Sequence, residues 1–324
     1  MGPLRPDRRA LAVRALDSEI DSVIRAYGTD LAVGLWIGGP TGGAWYERNS
    51  DVSYPTASAI KTAYLLELFA AYAHALDAPL PGLDRLLGRD GHPCLAPFSR
   101  AQRDDIRHAL RGASARKIGR IMMAKTRAAN HVYNAAANVA TAILGGPAEL
   151  SRRIRARDPA FAPATVRRYM LADRRPRGEN TATAASLAAV LQRLASHRAP
   201  GLTHRLVAAA REAMKTTRDR RGGRIYVKTG YLPPHPIIRV WSGWRESGHG
   251  STVCVVMTCQ PSRGRRARRR STDQLVAIVA RLRNILLGSA RQISAPAHHR
   301  RLESSQPHRD SNSHLSPSTY RRLF

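Results

Sequence analysis

The pattern of hydrophobic and polar positions changes its period along the first half of the chain. Residues 10–27 carry apolar side chains at helical spacing. DLAVGLWIGG and GAWYERN, joined by PTGG, predict a β-hairpin after this helix. Helical spacing returns over residues 59–77 and through an alanine-rich region from about 103 to 144. The first half is therefore predicted to contain a helix, two antiparallel strands and a block of helices.

The second half returns from helix to strand. A helix is predicted from near Thr183, followed by strands at 223–230, 237–244 and 251–259 and by an amphipathic helix at 272–288. This order predicts an α/β fold of the α+β type. Its five-stranded, mostly antiparallel sheet would be flanked by the terminal helices, with a helical lobe inserted after the second strand.

The two ends of the chain differ in composition from the rest. Residues 289–324 are rich in serine, histidine, proline and arginine, so we expect a disordered basic tail there. A basic N-terminal segment is expected over residues 1–14, which leaves 15–288 as one folded domain. With 324 residues and 43% hydrophobic side chains, the chain is long enough to bury a large core.

The formal net charge of +30 is concentrated towards the C-terminus. Residues 261–324 hold 14 arginines against 3 acidic residues, and RGRRARRR (263–270) is the densest run. Arginine runs attract phosphates with little sequence preference, so nucleic acid is one candidate partner. No aromatic residues are interleaved for base stacking, and the pattern therefore favours a solvated loop and tail.

Other residue types exclude several classes of protein. Cys94, Cys254 and Cys259 are too widely spaced for a disulfide framework or a zinc site, and the twelve histidines form no HExxH pattern. We expect no cofactor and no metal. No segment has the length of a membrane span, and no secretory signal is visible, so a cytoplasmic monomer is expected if the start is correct.

Ser58 and Lys61 lie three positions apart in YPTASAIKTAYLLELF (54–69), where an apolar helix begins. This spacing puts both side chains on one face of a helix. A lysine of lowered pKa could take the proton of the serine hydroxyl and make it a nucleophile. Only five of the 53 basic residues are lysines, which makes each worth weighing. The alternative is a helix-capping serine and a solvated lysine.

A second candidate group is Lys228-Thr229-Gly230, at the end of a predicted strand. The lysine and the hydroxyl could bind a carboxylate by charge and hydrogen bond, and the glycine would let a substrate lie close to the strand. The alternative is a strand that ends in a turn. Two of the five lysines now fall in candidate motifs.

Three stretches together resemble one family. ASAIK (57–61) resembles the nucleophile motif SxxK, VKTG (227–230) resembles the strand motif KTG, and LGGPAEL (144–150) is similar to LGGPxxL. These are motifs of the penicillin-recognising serine enzymes, and class A β-lactamases are the most similar. The resemblance covers about residues 15–287 and implies a β-lactamase/transpeptidase-like fold with a catalytic domain at 15–288.

The resemblance also implies roles for single residues. Ser58 would be the nucleophile and Lys61 its general base, Asn134 would position the substrate, and Lys228 would bind its carboxylate with Thr229. The backbone N–H groups of Ser58 and Tyr231 would form the oxyanion hole.

The middle motif departs from the family pattern. Counting back from LGGPAEL aligns it with Val132-Tyr133-Asn134, and NAAAN resembles the family's NTAAN. Valine replaces the serine that relays a proton to the leaving nitrogen in the family, and Tyr133 could take over that relay. A second register would use Ala128-Ala129-Asn130, but it needs an insertion before LGGPAEL.

The family's Ω loop carries a glutamate that activates the deacylating water, and this chain lacks its ExxLN motif. The corresponding region is VRRYMLADRRPRGENTAT (166–183), where Asp173 and Glu179 are the carboxylates. Either could be the water base, but a structural salt bridge to the neighbouring arginines is favoured. Slow turnover is therefore expected.

Three functions follow as hypotheses. The first is a β-lactamase-type serine hydrolase that opens β-lactam amides through a Ser58 acyl-enzyme. The second is a D-alanyl peptidase or esterase, whose family relatives act without the Ω-loop glutamate but outside the cytoplasm. The third is a catalytically impaired binding protein that works through its positive charge.

Overall fold

The computed structural model describes the chain over residues 7–27, 31–219, 222–232, 236–248, 250–260 and 267–294. Residues 263–266 of the arginine-rich run and the predicted tail from residue 295 onward lie outside the described residues. Among the helices described, none is both long and apolar enough to cross a membrane.

Ten α-helices are described, together with two short 3-10 helices at Ala57–Ile60 and Pro159–Phe161. The α-helices are α1 (Arg8–Tyr27), α2 (Lys61–Ala71), α3 (Leu83–Leu87), α4 (Arg100–Leu110), α5 (Ala115–Met122), α6 (Asn130–Ile143), α7 (Pro147–Arg157), α8 (Ala184–Ala195), α9 (His204–Ala213) and α10 (Ala267–Ile293).

Eight strands form two sheets. They are β1 (Ala32–Gly38), β2 (Ala44–Arg48), β3 (Tyr54–Pro55), β4 (Thr181–Ala182), β5 (Lys215–Arg218), β6 (Arg224–Leu232), β7 (Ile237–Ser247) and β8 (Gly250–Gln260). The main sheet is antiparallel in the order β2-β1-β8-β7-β6-β5, and β3 pairs with β4 separately.

The main sheet has six strands, so the prediction of five was wrong by one edge strand. The additional strand β5 is short and polar, and it pairs Lys215 with Val227 and Arg218 with Arg224. Its four residues, KTTR, carry no apolar alternation. Hydrogen bonding to β6 makes it a strand, and the hydrophobic pattern could not signal it.

Strand side chains alternate between two cores on opposite faces of the sheet. On β8, Val253, Val255 and Met257 pack into a core shared with the helical lobe. The intervening Cys254 and Val256 pack against the terminal helices α1 and α10. The sheet therefore lies between the lobe and the terminal helices, as the order of elements predicted.

The helical region predicted over about 103–144 is three helices. Gly112, with φ +59°, follows α4, and the Ser114 side chain then caps α5 by accepting from the Lys117 N–H. Ala124, with φ +56°, lies in the break before α6. These local backbone conformations divide a region whose composition is uniformly helical.

The terminal helices extend past the predicted bounds of 15 and 288. Helix α1 begins at Arg8, and Ala12 and Val13 pack against the outer core. Helix α10 ends at Ile293, and its last turns bury Ala290 and Ile293. At the C-terminal end, apolar contacts continue past residue 288 and keep α10 helical beyond the predicted amphipathic segment.

An ion pair joins the first helix of the lobe to α7. Glu67 of α2 is 3% exposed, and both of its carboxylate oxygens accept from Arg157, at 2.9 and 3.0 Å. Arg157 also donates to the Pro200 carbonyl at 3.1 Å. Because α2 carries Lys61 at its first turn, this pair anchors the helix that builds the site.

Arg157→Met should destabilise the fold by about 3–5 kcal/mol, because it leaves the buried Glu67 carboxylate without its cation. The double variant Glu67→Leu/Arg157→Met should recover most of that loss, since no charge remains buried. Urea unfolding followed by tryptophan fluorescence measures both. A double variant as unstable as the single one would contradict the uncompensated-charge account.

Candidate active site

The predicted site residues meet in one cavity of 410 Å³ between the sheet and the lobe. The 3-10 turn at Ala57–Ile60, helix α6, the loop over 166–180 and strand β6 form its walls. Seven of the eight predicted residues line it: Ser58, Lys61, Tyr133, Asn134, Lys228, Thr229 and Tyr231. The eighth, Gly230, lies between Thr229 and Tyr231 on β6.

Ser58 stands on a strained turn just before α2. The preceding Ala57 has φ +49°, a left-handed conformation that non-glycine residues seldom adopt and that often occurs at functional sites. Gly230 packs directly behind this turn, because a Cβ on it would lie 2.4 Å from the Thr56 carbonyl oxygen. The missing side chain at Gly230 thus brings β6 against the serine.

Lys61 is the most deeply buried cationic side chain of the site, at 1% exposure. Its Nζ donates to Asn134 Oδ1 at 2.9 Å and to the Tyr133 carbonyl at 3.4 Å. Burial lowers the pKa of Lys61 well below the ordinary lysine value, and the charge of Lys228 lowers it further. A lysine in this state can accept a proton.

Lys228 enters the cavity from β6 and is 8% exposed. Burial lowers its pKa to about 8, and the charge of Lys215 on β5 contributes to this shift. Thr229, which follows it, is exposed to solvent. A cation beside an accessible hydroxyl is suited to a carboxylate.

Tyr231 and Arg239 extend this strand surface. Tyr231 is 39% exposed, and the Arg239 guanidinium lies 4.3 Å from the centre of its ring. The two residues are cross-strand partners on β6 and β7. Arg239 was not identified from the sequence, because only the register of the sheet places it beside the KTG strand.

Helix α6 favours the first of the two registers considered for the middle motif. Asn134 Oδ1 accepts a hydrogen bond from the Lys61 amine, and Asn134 Nδ2 donates to the Asn130 carbonyl at 3.0 Å. Asn130 lines the same cavity one turn earlier. Val132, at the serine position, is 4% exposed.

The Tyr133 hydroxyl is oriented towards the loop before α6. It accepts a hydrogen bond from the Ala128 N–H at 2.8 Å, although the side chain lines the cavity. Accepting this bond leaves the hydroxyl proton available. Within the described residues, no hydrogen bond joins Ser58 Oγ to Lys61, and such contacts often tighten only when substrate binds.

Both carboxylates of the loop are engaged by arginines. Asp173 is on the exposed side of the loop and pairs with Arg175 at 2.8 Å. Glu179 lines the cavity, but its two oxygens accept from Arg168 at 2.5 Å and from Arg174 at 3.2 Å. These are the salt bridges that the sequence favoured over a role as water base.

Met170 was not identified from the sequence, yet it is fixed directly to the lobe. Its backbone N–H and carbonyl both bond the side chain of the buried Asn138, at 2.5 and 3.0 Å. Met170 and Leu171, the latter with φ +65°, line the cavity. The second asparagine of NAAAN is Asn138, and it was the available signal that this stretch holds the loop.

Among the described residues, no three histidine, cysteine or carboxylate side chains converge in a group that could bind a metal ion. The cavity lining offers the hydroxyls of Ser58, Tyr133 and Thr229, two amines, side-chain amides and the paired Arg168 and Glu179.

Comparisons with known proteins show what this architecture is similar to. No protein-family model matches the sequence, and no curated protein matches it. A serine-to-glycine variant of the TLA-1 extended-spectrum β-lactamase superposes with a TM-score of 0.66 at 14% identity, covering 86% of this chain and 99% of that one.

Two further solved structures agree. A leucine-to-glutamate mutant of PBP-A, described as an acyl-enzyme complex with penicillin G, gives a TM-score of 0.62 at 18% identity, covering 90% of this chain and 100% of that one. The β-lactamase from Streptomyces albus G gives 0.58 at 18% identity, covering 86% and 98%. The chain therefore has the fold shared by class A β-lactamases and PBP-A.

Proposed function

We propose that this protein is a serine hydrolase of the β-lactamase type that forms an acyl-enzyme at Ser58 and releases it slowly. The observation that carries the proposal is the state of Lys61. It is a buried amine with a lowered pKa, one turn from Ser58, and Asn134 holds it in the same cavity. A solvated lysine beside a helix cap would share the spacing, but it would be neither buried nor bonded to Asn134.

Acylation would proceed with Lys61 as general base. Ser58 Oγ attacks the carbonyl carbon of a cyclic amide while its proton passes to Lys61 Nζ. The C–N bond then breaks, and the proton returns to the leaving nitrogen, for which Tyr133 stays the predicted relay. The backbone N–H groups of Ser58 and Tyr231 would stabilise the oxyanion, each by about 3 kcal/mol.

The substrate carboxylate would lie along β6. Lys228 supplies the charge and Thr229 the hydroxyl, with Arg239 close by beside Tyr231. Gly230 keeps this part of the strand against the Ser58 turn. A β-lactam or a D-alanyl peptide, each with a carboxylate near the scissile amide, fits this arrangement.

Deacylation needs a group that activates water, and the loop offers none that is unengaged. Asp173 and Glu179 are paired with arginines, and the loop residues Met170 and Leu171 in the cavity are apolar. This favours a second candidate, a D-alanyl peptidase-like or esterase-like enzyme in which β-lactams acylate Ser58 and remain bound.

The first prediction concerns the covalent intermediate. Incubation with penicillin G should add the mass of one penicillin to the intact protein, because Ser58 opens the ring without losing any atoms. Ser58→Ala should give no adduct, and Ser58→Cys should retain a nucleophile as a matched control. Intact-mass spectrometry measures all three, and an adduct of equal yield on Ser58→Ala would exclude Ser58 as the nucleophile.

The second prediction concerns the pH dependence of acylation. The rate should fall on the acid side as Lys61 becomes protonated, and that limb should lie well below the ordinary lysine pKa. It should fall again on the alkaline side around pH 8, as Lys228 loses the charge that binds the carboxylate. Stopped-flow acylation with a chromogenic cephalosporin gives the profile.

Lys228→Arg is the control for the alkaline limb. Arginine keeps its charge across this range, so the limb should move to higher pH while the acid limb stays in place. An unchanged alkaline limb would mean that Lys228 does not set it.

The third prediction concerns the loop. Met170→Glu should accelerate loss of the acyl group by roughly 10²-fold or more, because a carboxylate would then face the ester with Asn138 holding its backbone. Met170→Gln has the same shape without a base and should leave the rate near that of the parent. Equal rates for both variants in an adduct-decay experiment would contradict general-base catalysis at this position.

A further inference from the structure

A second cleft is larger than the catalytic cavity. It has a volume of 940 Å³ and lies where α5 and α9 of the lobe face strands β5 and β6. Tyr226 and Arg224 form its floor on β6, two and four residues before Lys228. It therefore adjoins the catalytic cavity but shares no lining residue with it.

Cations dominate the walls of this cleft. Two carboxylates, Glu212 and Glu246, are outnumbered by five basic side chains: Arg120, Lys125, Arg211, Arg218 and Arg224. The five come from four different elements and from the loop after α5, so the fold assembles the charge, and no run of basic residues in the sequence predicts it.

Both carboxylates already have arginine partners. Glu246 pairs with Arg211, which also donates to the Leu194 and Ala195 carbonyls. Glu212 lies 3.9 Å from Arg116, outside the cleft. The acidic groups of the cleft therefore do not neutralise its remaining four cations.

None of the other four cations forms an ion pair in the part of the chain that the structure describes, although Glu246, the cross-strand partner of Arg224, attracts the charge of that arginine. Lys125 donates to Thr216 Oγ1 at 3.0 Å, Arg218 to the Gly222 carbonyl at 3.2 Å, and Arg224 to the Tyr226 hydroxyl at 3.3 Å. The Arg120 carbonyl accepts from the Lys125 N–H at 2.9 Å, but its exposed guanidinium has no hydrogen bond or ion pair with the described residues. Converging guanidinium groups of this kind match the planar oxygen pairs of phosphates.

The aromatic rings of the cleft are already covered. Tyr226 stacks on Trp244 with ring centres 4.3 Å apart and has Arg211 over it at 5.2 Å. His197 stacks on His204 at 5.1 Å. A nucleobase would find no free ring among these lining residues, so the ligand should be recognised by its anionic groups.

We infer that this cleft is a binding site for a small polyanion carrying two or more phosphate groups, separate from the Ser58 site. Arg120 from the lobe and Arg224 and Arg218 from the sheet would hold the phosphate oxygens, and Lys125 adds a point charge where it bridges α5 to β5. Inorganic pyrophosphate is the simplest ligand of this class.

Isothermal titration calorimetry with inorganic pyrophosphate, at about 0.15 M ionic strength to screen surface charge, tests the inference. Wild type should bind it saturably. Arg120→Gln/Arg224→Gln should weaken binding by roughly tenfold or more, since two of the unneutralised guanidinium groups are lost. Ser58→Ala should bind as wild type does, because the catalytic serine lies outside the cleft.

The matched control is Arg100→Gln/Arg111→Gln, which removes the same charge from exposed positions at the two ends of α4. It should bind pyrophosphate within about twofold of wild type. If both double variants bound pyrophosphate equally weakly, the net charge of +30 alone would explain the binding, and the inference would be overturned. Absence of saturable binding by the wild type would overturn it as well.

ADP serves as the comparison ligand in the same titration. It should bind no tighter than pyrophosphate, because its base has no free ring to stack on. Much tighter binding of ADP would overturn the assignment to phosphate groups alone.

Discussion

Burying a lysine ammonium group is unfavourable, and this chain buries two of them beside each other. Lys61 and Lys228 are 1% and 8% exposed, and the charge of Lys228 lowers the pKa of Lys61 beyond the effect of burial. Desolvation and like-charge repulsion together favour the neutral amine at the deeper position. The hydrogen bond from Lys61 to Asn134 fixes that amine, so the packing around it keeps the amine one turn from the Ser58 hydroxyl.

Close backbone packing gives this arrangement its geometry. Gly230 lets β6 approach the Thr56 carbonyl, and the strained Ala57 turns Ser58 towards the cavity. A larger residue at Gly230 would separate the strand from the turn, and with it Lys228 from Ser58. The strained backbone of Ala57 and the missing side chain of Gly230 thus both shape the contact between β6 and the Ser58 turn.

The loop over 166–180 is fixed as firmly as the catalytic turn, but it presents different chemistry. Asn138 holds Met170 by both backbone groups, and Arg168 and Arg174 hold Glu179. The parts of the loop that are held in place are therefore an apolar surface at Met170 and a carboxylate that is paired with arginines. The loop therefore presents no carboxylate free of an arginine partner to the cavity.

The sequence by itself determined the order of elements and the candidate reactive residues, because both depend on local spacing. Helical and alternating periods outlined the sheet and lobe, and SxxK and KTG marked Ser58, Lys61 and Lys228. Local spacing could not reveal the edge strand β5, whose residues have no hydrophobic pattern and become a strand by pairing with β6.

Contacts between distant segments were decided by the tertiary structure alone. The hydrogen bonds between Asn138 and Met170 join residues 32 positions apart, and the register of β6 and β7 places Arg239 beside Tyr231. The basic cleft gathers side chains from α5, α9, β5 and β6. Such groupings depend on which surfaces pack together, and no period or motif within a single segment records that.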